Sequence, residues 1–208
     1  DSITNKIPLN YTKRNTLDYY VNRNIKVIDY LFKLNYIDKS KLVVAGHSEG
    51  STIAAKLAYK CKKVTCLIYS SGNPLGRIMS IIGRDRTFET DTDSTQYAEY
   101  DFEYWKNVVN NPESVEETEG DSYKATFGFS FPSIRYLEKI KIPVLVCYGT
   151  KDWSAPFNDF MCVDFIRQGK INFIFHPYVG TEHNFFPLTA ENKPNYDIFN
   201  WDNVANDW

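Results

Sequence analysis

The chain has 208 residues and a formal net charge of −2 at pH 7. This length allows one sizeable hydrophobic core, with room for one inserted subdomain. The small negative charge argues against a general nucleic-acid binder, which needs a basic face. No apolar run approaches the ~20 residues of a membrane-spanning helix. We therefore expect neither nucleic acid nor a membrane span, and the oligomeric state stays open.

The four cysteines lack the spacing of a metal site. Cys61, Cys66, Cys147 and Cys162 form no C-x-x-C pair, and such pairs are typical of zinc sites. Two of them lie in apolar, strand-like runs, where a buried thiol behaves as a small hydrophobic side chain. We expect no bound metal, and the compartment, cytoplasmic or periplasmic, stays open.

The first third of the chain alternates between helical and strand-like patterns. Asn15 and Thr16 are capping residues, and apolar residues at helical spacing follow them. The patterns predict a helix over about 16–36, a strand over about 41–46, a helix over about 49–61 and a strand over about 64–70. Residues 1–15 are mostly polar, and no strand is predicted there.

The same alternation resumes in the last third of the chain. The patterns predict a strand over about 142–149, a helix over about 156–168, a strand over about 171–176 and a C-terminal helix after Pro194. A sheet whose strands alternate with helices is typical of an α/β protein with parallel strands.

Residues 46–50 read Gly-His-Ser-Glu-Gly, between a strand-like run and a helix-like run. A strand that turns sharply into a helix holds the central serine in a strained, exposed position above the helix N-terminus. We interpret both glycines as a sign that this turn is too crowded for side chains. The pattern predicts that Ser48 is a catalytic nucleophile. The alternative is an ordinary turn in which Ser48 caps the helix.

A serine nucleophile needs a base, and the chain has three histidines. His47 lies inside the turn, and its side chain should point away from Ser48. His176 lies in an apolar run and is predicted to be a strand residue, whereas His183 follows that run in a polar loop. Because the base approaches from a loop at the sheet end where the nucleophile lies, His183 is favoured over His176.

The base in turn needs an acid that orients it. Residues 142–149 form a short apolar run typical of a buried parallel strand, and Asp152 follows just past its end. Aspartate is also common in turns and caps, which is the alternative. The chain order Ser48, Asp152, His183, each after a strand, favours a catalytic role.

Three segments resemble the α/β-hydrolases. Residues 38–54 resemble the nucleophile region of the bacterial esterase and prolyl-oligopeptidase-like branch, residues 137–152 the strand with the acid, and residues 180–183 the histidine loop. The resemblance implies an α/β fold with a mostly parallel sheet flanked by helices, N-terminally truncated, with a helical cap insertion. The family usually has a second glycine after the nucleophile turn. Here that position is Ser51, which is still small.

One departure concerns the oxyanion hole, which the family builds from two backbone N–H groups. The resemblance assigns one of them to Glu49, the residue after the nucleophile. In the family the other comes from a glycine-containing loop after an early strand, but no glycine precedes Gly46 in this chain. We therefore expect the N-terminal part of the sheet to be absent from the chain as given. One donor can supply several kcal/mol of transition-state stabilisation.

Residues 72–138 are too many for a simple connection between a strand and a helix. They are predicted to form a mainly helical cap, with a helix over about 94–109, inserted into a core of residues 1–71 and 139–208. The segment is rich in acidic and aromatic residues. One interpretation is an aromatic-walled pocket that disfavours anionic substrates. The other is a solvated acidic face with the aromatic rings in the cap's own core.

Four residues are candidates for substrate binding, namely His47, Trp153, Tyr104 and Trp105. Trp153 directly follows Asp152, so it either lines the pocket or packs beside the acid loop. Tyr104 and Trp105 belong to the helix predicted in the cap over about 94–109.

The sequence predicts a carboxylesterase-like serine hydrolase that cleaves carboxylic esters, thioesters or amides through an acyl-enzyme on Ser48. This chemistry needs no cofactor, and the expected partner is a small-molecule ester or a peptide-like substrate. Two alternatives stay open: a non-catalytic α/β-hydrolase-like binding protein, and a serine peptidase of prolyl-oligopeptidase type. A dehalogenase is disfavoured because the nucleophile position holds serine rather than aspartate.

Overall fold

The structure is a computed structural model that describes residues 8–90, 97–116 and 121–208. The chain divides into two compact units. The helical unit contains the described residues of Asp1–Asn35 and Leu75–Pro132, and the sheet unit contains Tyr36–Pro74 and Ser133–Trp208.

The sheet unit is built on four parallel strands in the order β1-β2-β3-β4. The strands are β1 (Val43–His47), β2 (Cys66–Ser70), β3 (Val144–Gly149) and β4 (Phe173–Tyr178). Because the strands run in one direction, their C-terminal ends meet at one end of the sheet. The turn after β1 and the loops after β3 and β4 therefore lie close together.

The described helices are, in chain order, α1 (Leu9–Arg14), α2 (Leu17–Leu31), α3 (Glu49–Lys60), α4 (Arg77–Phe88), α5 (Tyr97–Asn110), α6 (Tyr123–Phe129), α7 (Ile134–Leu137), α8 (Ala155–Arg167) and α9 (Trp201–Asp207). Local capping explains several of these boundaries. The Thr16 side chain accepts a hydrogen bond from the Tyr19 N–H, and Ser122 accepts one from the Ala125 N–H. These bonds satisfy N–H groups that a helix cannot pair internally.

The core of the sheet unit lies on the two central strands. Leu67 and Tyr69 of β2, and Val146 and Cys147 of β3, are all 0% exposed. Parallel strands covered on both faces are apolar along their whole length, and this pattern made them predictable. In contrast, Val43 on the outer strand β1 is half exposed.

The predicted α/β architecture is confirmed, and so is the pairing of the strand near 41–46 with the strand near 64–70. Helix α2 ends at Leu31, earlier than the predicted 36. Helix α1 was not predicted because six residues are too few to show a helical period. Residues 94–96 of the helix predicted in the cap lie outside the described residues, and α5 follows them.

Helix α2 belongs with the helices of the segment 75–132 rather than with the sheet. Its Tyr20 ring lies 6.2 Å from the Phe129 ring of α6. Asn15, just before α2, donates a hydrogen bond to Asp121 at 2.6 Å. The sequence-based division, with residues 1–71 and 139–208 as the core and 72–138 as the cap, stays a prediction, and the compact units group the described residues of Asp1–Asn35 with those of Leu75–Pro132.

Strand β1 is at an edge of the sheet. It pairs with β2 along one side, and no strand of the described residues pairs with its other side. Within the same described ranges, no helix is long and apolar enough to cross a membrane. All four cysteines are free thiols.

Candidate active site

Ser48 lies on a sharp turn between β1 and α3. Its backbone has φ 56° and ψ −125°, a conformation that costs energy for a residue with a side chain. Its N–H donates to the carbonyl of Ser70 at 2.8 Å, which fixes the turn to the end of β2. The Ser48 side chain makes no capping hydrogen bond to α3. Ser48 thus occupies the N-cap position of α3 without capping the helix through its side chain.

The two glycines of the turn differ in their surroundings. A Cβ added to Gly46 would lie 2.1 Å from the carbonyl oxygen of Gly50, a clash with backbone that cannot move aside. A Cβ added to Gly50 would meet no atom within 4 Å. Crowding therefore explains the first glycine, and the interpretation that it also explains the second is wrong.

Ser51, which stands where the family has a glycine, is fully buried. Its hydroxyl donates to the carbonyl of Ser48 at 2.5 Å. The Tyr69 ring packs beside it, and the Tyr69 hydroxyl is 2.9 Å from the hydroxyl of Ser133. Burial raises the pKa of Tyr69 to about 12, so this hydroxyl keeps its proton. A small polar side chain is thus accommodated beneath the turn with a hydrogen bond of its own.

His183 lies in the loop after β4, and its two ring nitrogens face two different partners. Nε2 is 2.9 Å from Oγ of Ser48, and Nδ1 is 2.9 Å from Oδ2 of Asp152. The carboxylate only accepts, so Nδ1 carries the proton and Nε2 accepts from the serine hydroxyl. The sequence-predicted serine, aspartate and histidine are thus brought together in one hydrogen-bonded row.

The loop that carries His183 is fixed by its neighbours. The Glu182 carboxylate accepts hydrogen bonds from the N–H groups of Asn184 at 2.8 Å and Phe186 at 3.1 Å. Phe185 has φ 64° and is fully buried among Cys147 and Val204. This buried phenyl ring, two residues after His183, anchors the loop at the end of the sheet.

Asp152 follows β3, as predicted, and its side chain is completely buried. Its Oδ1 accepts from the N–H of Ser154 at 2.9 Å, while Oδ2 faces His183. A buried carboxylate is costly unless it is hydrogen-bonded, and here both oxygens have partners. Its orientation toward the imidazole is therefore fixed from the opposite side as well.

The His47 side chain bonds to Ser70 and Asn184. Its Nδ1 lies 3.0 Å from the Ser70 hydroxyl, and its Nε2 lies 3.3 Å from Oδ1 of Asn184. Its ring is 5.2 Å from the ring of His183. Burial and the neighbouring His183 lower the pKa of His47. The neutral form, with the proton on Nε2, is the form that suits these two partners.

Trp153 stacks on the imidazole of His183. The ring centroids are 4.5 Å apart, and the planes differ by 18°. His183 therefore contacts an indole face as well as the serine and the aspartate. The sequence placed Trp153 beside the acid, but nothing in the sequence indicated this contact.

Glu49 is the first residue of α3, so its N–H lies at the positive end of a 12-residue helix. The sequence assigned one oxyanion-hole donor to this N–H group. An anion close to Ser48 would meet the N-terminus of α3, which favours negative charge.

The remaining candidate residues are Tyr104, Trp105 and His176. Tyr104 and Trp105 pack in the helical unit against Ile78 and Ile82, and Trp105 stacks on Phe127 at 6.1 Å. His176 lies on β4, 3.6 Å from the carboxylate of Asp207, so it is not the histidine that faces Ser48.

Sequence reasoning missed two residues close to the proposed nucleophile and base. Ser70 and Asn184 are both partners of His47. Asn184 directly follows His183, and that adjacency was the one available signal. Ser70 ends β2, and only the strand register, which pairs it with His47, reveals it.

Solved structures share this architecture. The chain is similar to a 2,6-dihydroxy-pseudo-oxynicotine hydrolase, with 18% identity and a TM-score of 0.52, over 82% of this chain and 42% of that one. It is similar to a puromycin-hydrolyzing peptidase of Mycobacterium tuberculosis, with 14% identity and a TM-score of 0.53, over 83% of this chain and 23% of that one. It is also similar to a proline iminopeptidase of Mycobacterium smegmatis, with 16% identity and a TM-score of 0.53, over 86% of this chain and 67% of that one.

No protein-family model matches the chain, and no curated protein matches it by sequence. The chain spans less than half the length of the first two structures. At these identities the likeness establishes the fold, and the fold is that of the α/β-hydrolases, as the sequence predicted.

Proposed function

We propose that the protein is a serine hydrolase that cleaves carboxylic esters through an acyl-enzyme on Ser48. The observation that carries this proposal is the pair of 2.9 Å contacts of His183, one to Ser48 Oγ and one to Asp152 Oδ2. This is the arrangement of nucleophile, base and orienting acid that acyl transfer requires. The similar solved structures include hydrolases and peptidases, which is consistent with the proposal.

In the first half of the proposed reaction, Ser48 Oγ attacks the ester carbonyl carbon while its proton passes to Nε2 of His183. The buried Asp152 carboxylate holds Nδ1–H and stabilises the imidazolium that forms. The imidazolium then gives its proton to the alcohol oxygen as the carbon–oxygen bond breaks. The alcohol leaves, and the acyl group stays on Ser48.

In the second half, water attacks the acyl carbon and passes a proton to the same nitrogen of His183. The proton returns to Ser48 Oγ as the carboxylic acid leaves, and this step restores the free enzyme. The negative oxygen formed in each half is proposed to accept a hydrogen bond from the Glu49 N–H at the start of α3. Thioesters and amides would react by the same steps with sulfur or nitrogen as the leaving atom.

A fluorophosphonate probe tests the nucleophile directly, since it reacts with activated serines and needs no knowledge of the substrate. We expect a single covalent label on Ser48, located by mass spectrometry, and its complete loss in Ser48→Ala. Asp152→Asn should slow labelling by about 100-fold or more. Ser40→Ala is the matched control, because Ser40 is exposed and its hydroxyl donates to Asp38 rather than to a residue of the proposed site.

A folded protein that does not react with the probe would contradict this proposal and favour the non-catalytic binding protein instead. Substrate class is then separated by comparing p-nitrophenyl esters with amino-acid p-nitroanilides. Faster turnover of the anilides, relative to their uncatalysed rates, would favour the peptidase alternative.

A further inference from the structure

Two aromatic rings lie near the imidazole of His183. Trp153 stacks on it at 4.5 Å and 18°, and His47 lies 5.2 Å away at 49°. The proposed mechanism uses the two ring nitrogens of His183 and leaves both faces unexplained. The parallel Trp153 ring covers one of these faces.

The backbone around Trp153 is held on both sides. The N–H of Asp152 donates to the carbonyl of Gly149 at 3.1 Å, and the N–H of Ala155 donates to the carbonyl of Asp152 at 3.0 Å. The N–H of Ser154 donates to the Asp152 carboxylate at 2.9 Å. The tight turn that fixes the acid therefore also fixes the backbone that carries the indole, so both side chains reach the imidazole from one segment.

An indole face attracts a cation placed over it within about 6 Å, and tryptophan is the best aromatic residue for this purpose. In the proposed mechanism His183 takes the proton of Ser48 and becomes a cation. The stacked ring therefore stabilises the transition state more than the ground state, and only such a difference raises the rate.

Other charged and titratable groups surround the same imidazole. The Asp152 carboxylate favours the cation, and the Glu182 carboxylate is turned to the N–H groups of Asn184 and Phe186. The lowered pKa of His47 keeps that ring neutral, so it does not repel a positive His183. Trp153 and Asp152 thus act in the same direction, one on the ring face and one on the ring edge.

We propose that Trp153 is a positioning residue whose indole face holds the His183 imidazole in line with Ser48 and Asp152 and stabilises its protonated form. This inference rests on the proposed function. It gives Trp153 a role exerted through His183, in contrast to direct contact with substrate, which is one of the two roles that the sequence left open.

Substitution to leucine removes the aromatic face and keeps an apolar side chain, whereas substitution to phenylalanine keeps a smaller face. For Trp153→Leu we expect kcat with a p-nitrophenyl ester to fall by about 10-fold, with KM within about 2-fold of wild type. The pH at which kcat/KM is half-maximal on the acidic side should move to lower pH, because the protonated base loses a stabilising partner. Trp153→Phe should behave much more like wild type, with most of the kcat retained and the acidic midpoint close to the wild-type pH.

Phe160→Leu is the matched control, since Phe160 is an aromatic residue on α8 in the same unit and is 54% exposed. It should leave kcat and the acidic midpoint unchanged. A Trp153→Leu enzyme with raised KM, unchanged kcat and an unmoved midpoint would overturn the inference and make Trp153 a substrate contact. Equal losses in the leucine and phenylalanine variants would overturn it too.

Failure of the proposed function gives a different result. If wild-type protein does not react with fluorophosphonate, the hydrolase proposal fails and the inference fails with it. If wild type reacts and Trp153→Leu reacts equally fast, only the inference fails. Proton NMR is the measurement to use if the leucine variant folds poorly. A stacked indole shifts the imidazole Cε1–H resonance of His183 upfield in wild type, and the absence of that shift would also overturn the inference.

Discussion

His47, which precedes Ser48, donates a hydrogen bond from Nε2 to Oδ1 of Asn184, which follows His183, at 3.3 Å. The turn with the proposed nucleophile and the loop with the proposed base are therefore joined a second time, beside the contact between Ser48 and His183 themselves. The two residues are 137 positions apart in sequence, so this bond links two distant segments of the chain at the same end of the sheet.

Removing this bond should weaken the alignment without removing any reacting group. We expect Asn184→Ala to lower the rate of fluorophosphonate labelling by about 2- to 10-fold, in keeping with the usual net value of one hydrogen bond. The rate is measured by quenching the labelling reaction at intervals and determining the labelled fraction by mass spectrometry. The control Asn22→Ala changes an exposed residue of α2 and should label at the wild-type rate. Equal rates for both variants would show that the bond does not align the row.

The lowered pKa of His47 makes stability depend on pH. Burial is its main cause and the neighbouring His183 the second, and the ordinary value is 6.5. The folded state therefore binds fewer protons than the unfolded state around that pH, so the free energy of unfolding falls as the pH drops below about 6.5. Above it, His47 is neutral in both states and this contribution does not change.

Substitution of His47 by glutamine should remove this dependence. Urea unfolding at pH 7.5, 6.5 and 5.5 measures the free energy for both proteins. At pH 7.5 we expect wild type to have the higher free energy of unfolding. This difference from His47→Gln should shrink on acidification, because only wild type contains the buried imidazole whose neutral form becomes unfavourable at low pH. If the free energies of unfolding of the two proteins change in parallel from pH 7.5 to 5.5, the lowered pKa of His47 is contradicted.

Much of the row could be predicted because it depends on local patterns. Strand periodicity located β1, β3 and β4, and each of Ser48, Asp152 and His183 comes shortly after one of them. Parallel strands bring such positions to one end of a sheet whatever the rest of the chain does. The catalytic roles of the three residues stay predictions that the labelling experiment tests.

The contacts between distant segments could not be predicted. The stacking of Trp153 on His183 and the bond from His47 to Ser70 depend on how loops meet in space, which periodicity does not encode. The same holds for the bond from Asn15 to Asp121, 106 positions apart, which joins the start of the chain to the helical unit. Helix α4 was missed because Gly83 interrupts its apolar pattern.

The two glycines of the nucleophile turn form a matched pair for experiment. Gly46→Ala places a methyl group 2.1 Å from a backbone oxygen, so the turn must open. We expect fluorophosphonate labelling to fall by at least about 100-fold, because a displacement of ~1 Å in a reacting group can cost that much. Gly50→Ala meets no atom within 4 Å and should keep a labelling rate close to wild type.

Stability separates the same two variants. Alanine is favoured over glycine inside a helix by up to about 1 kcal/mol, so Gly50→Ala should unfold at equal or higher urea concentration than wild type. Gly46→Ala should unfold at lower concentration. The explanation by crowding fails if the two variants behave alike in both assays.

Trp105 packs within the helical unit, and its substitution should first affect stability. Its ring is half-buried, stacks on Phe127 at 6.1 Å and 19°, and packs on the cluster of Ile78 and Ile82. Trp105→Ala should therefore lower the free energy of unfolding by about 2 kcal/mol, somewhat less than for a fully buried tryptophan. Urea unfolding followed by circular dichroism measures this loss, and Phe102→Ala, which alters an exposed ring of the same helix, should cost much less.

The same variant decides whether Trp105 also binds substrate, as the sequence predicted. Its effect is measured as the ratio of kcat/KM between a phenylacetyl and an acetyl p-nitrophenyl ester, under conditions where the variant is fully folded. Loss of an aromatic pocket wall should change this ratio by about 5-fold or more, since pocket contacts contribute about 1–3 kcal/mol to discrimination. An unchanged ratio together with lower stability would assign Trp105 to the core of the helical unit alone, which is the role that its contacts with Phe127, Ile78 and Ile82 already explain.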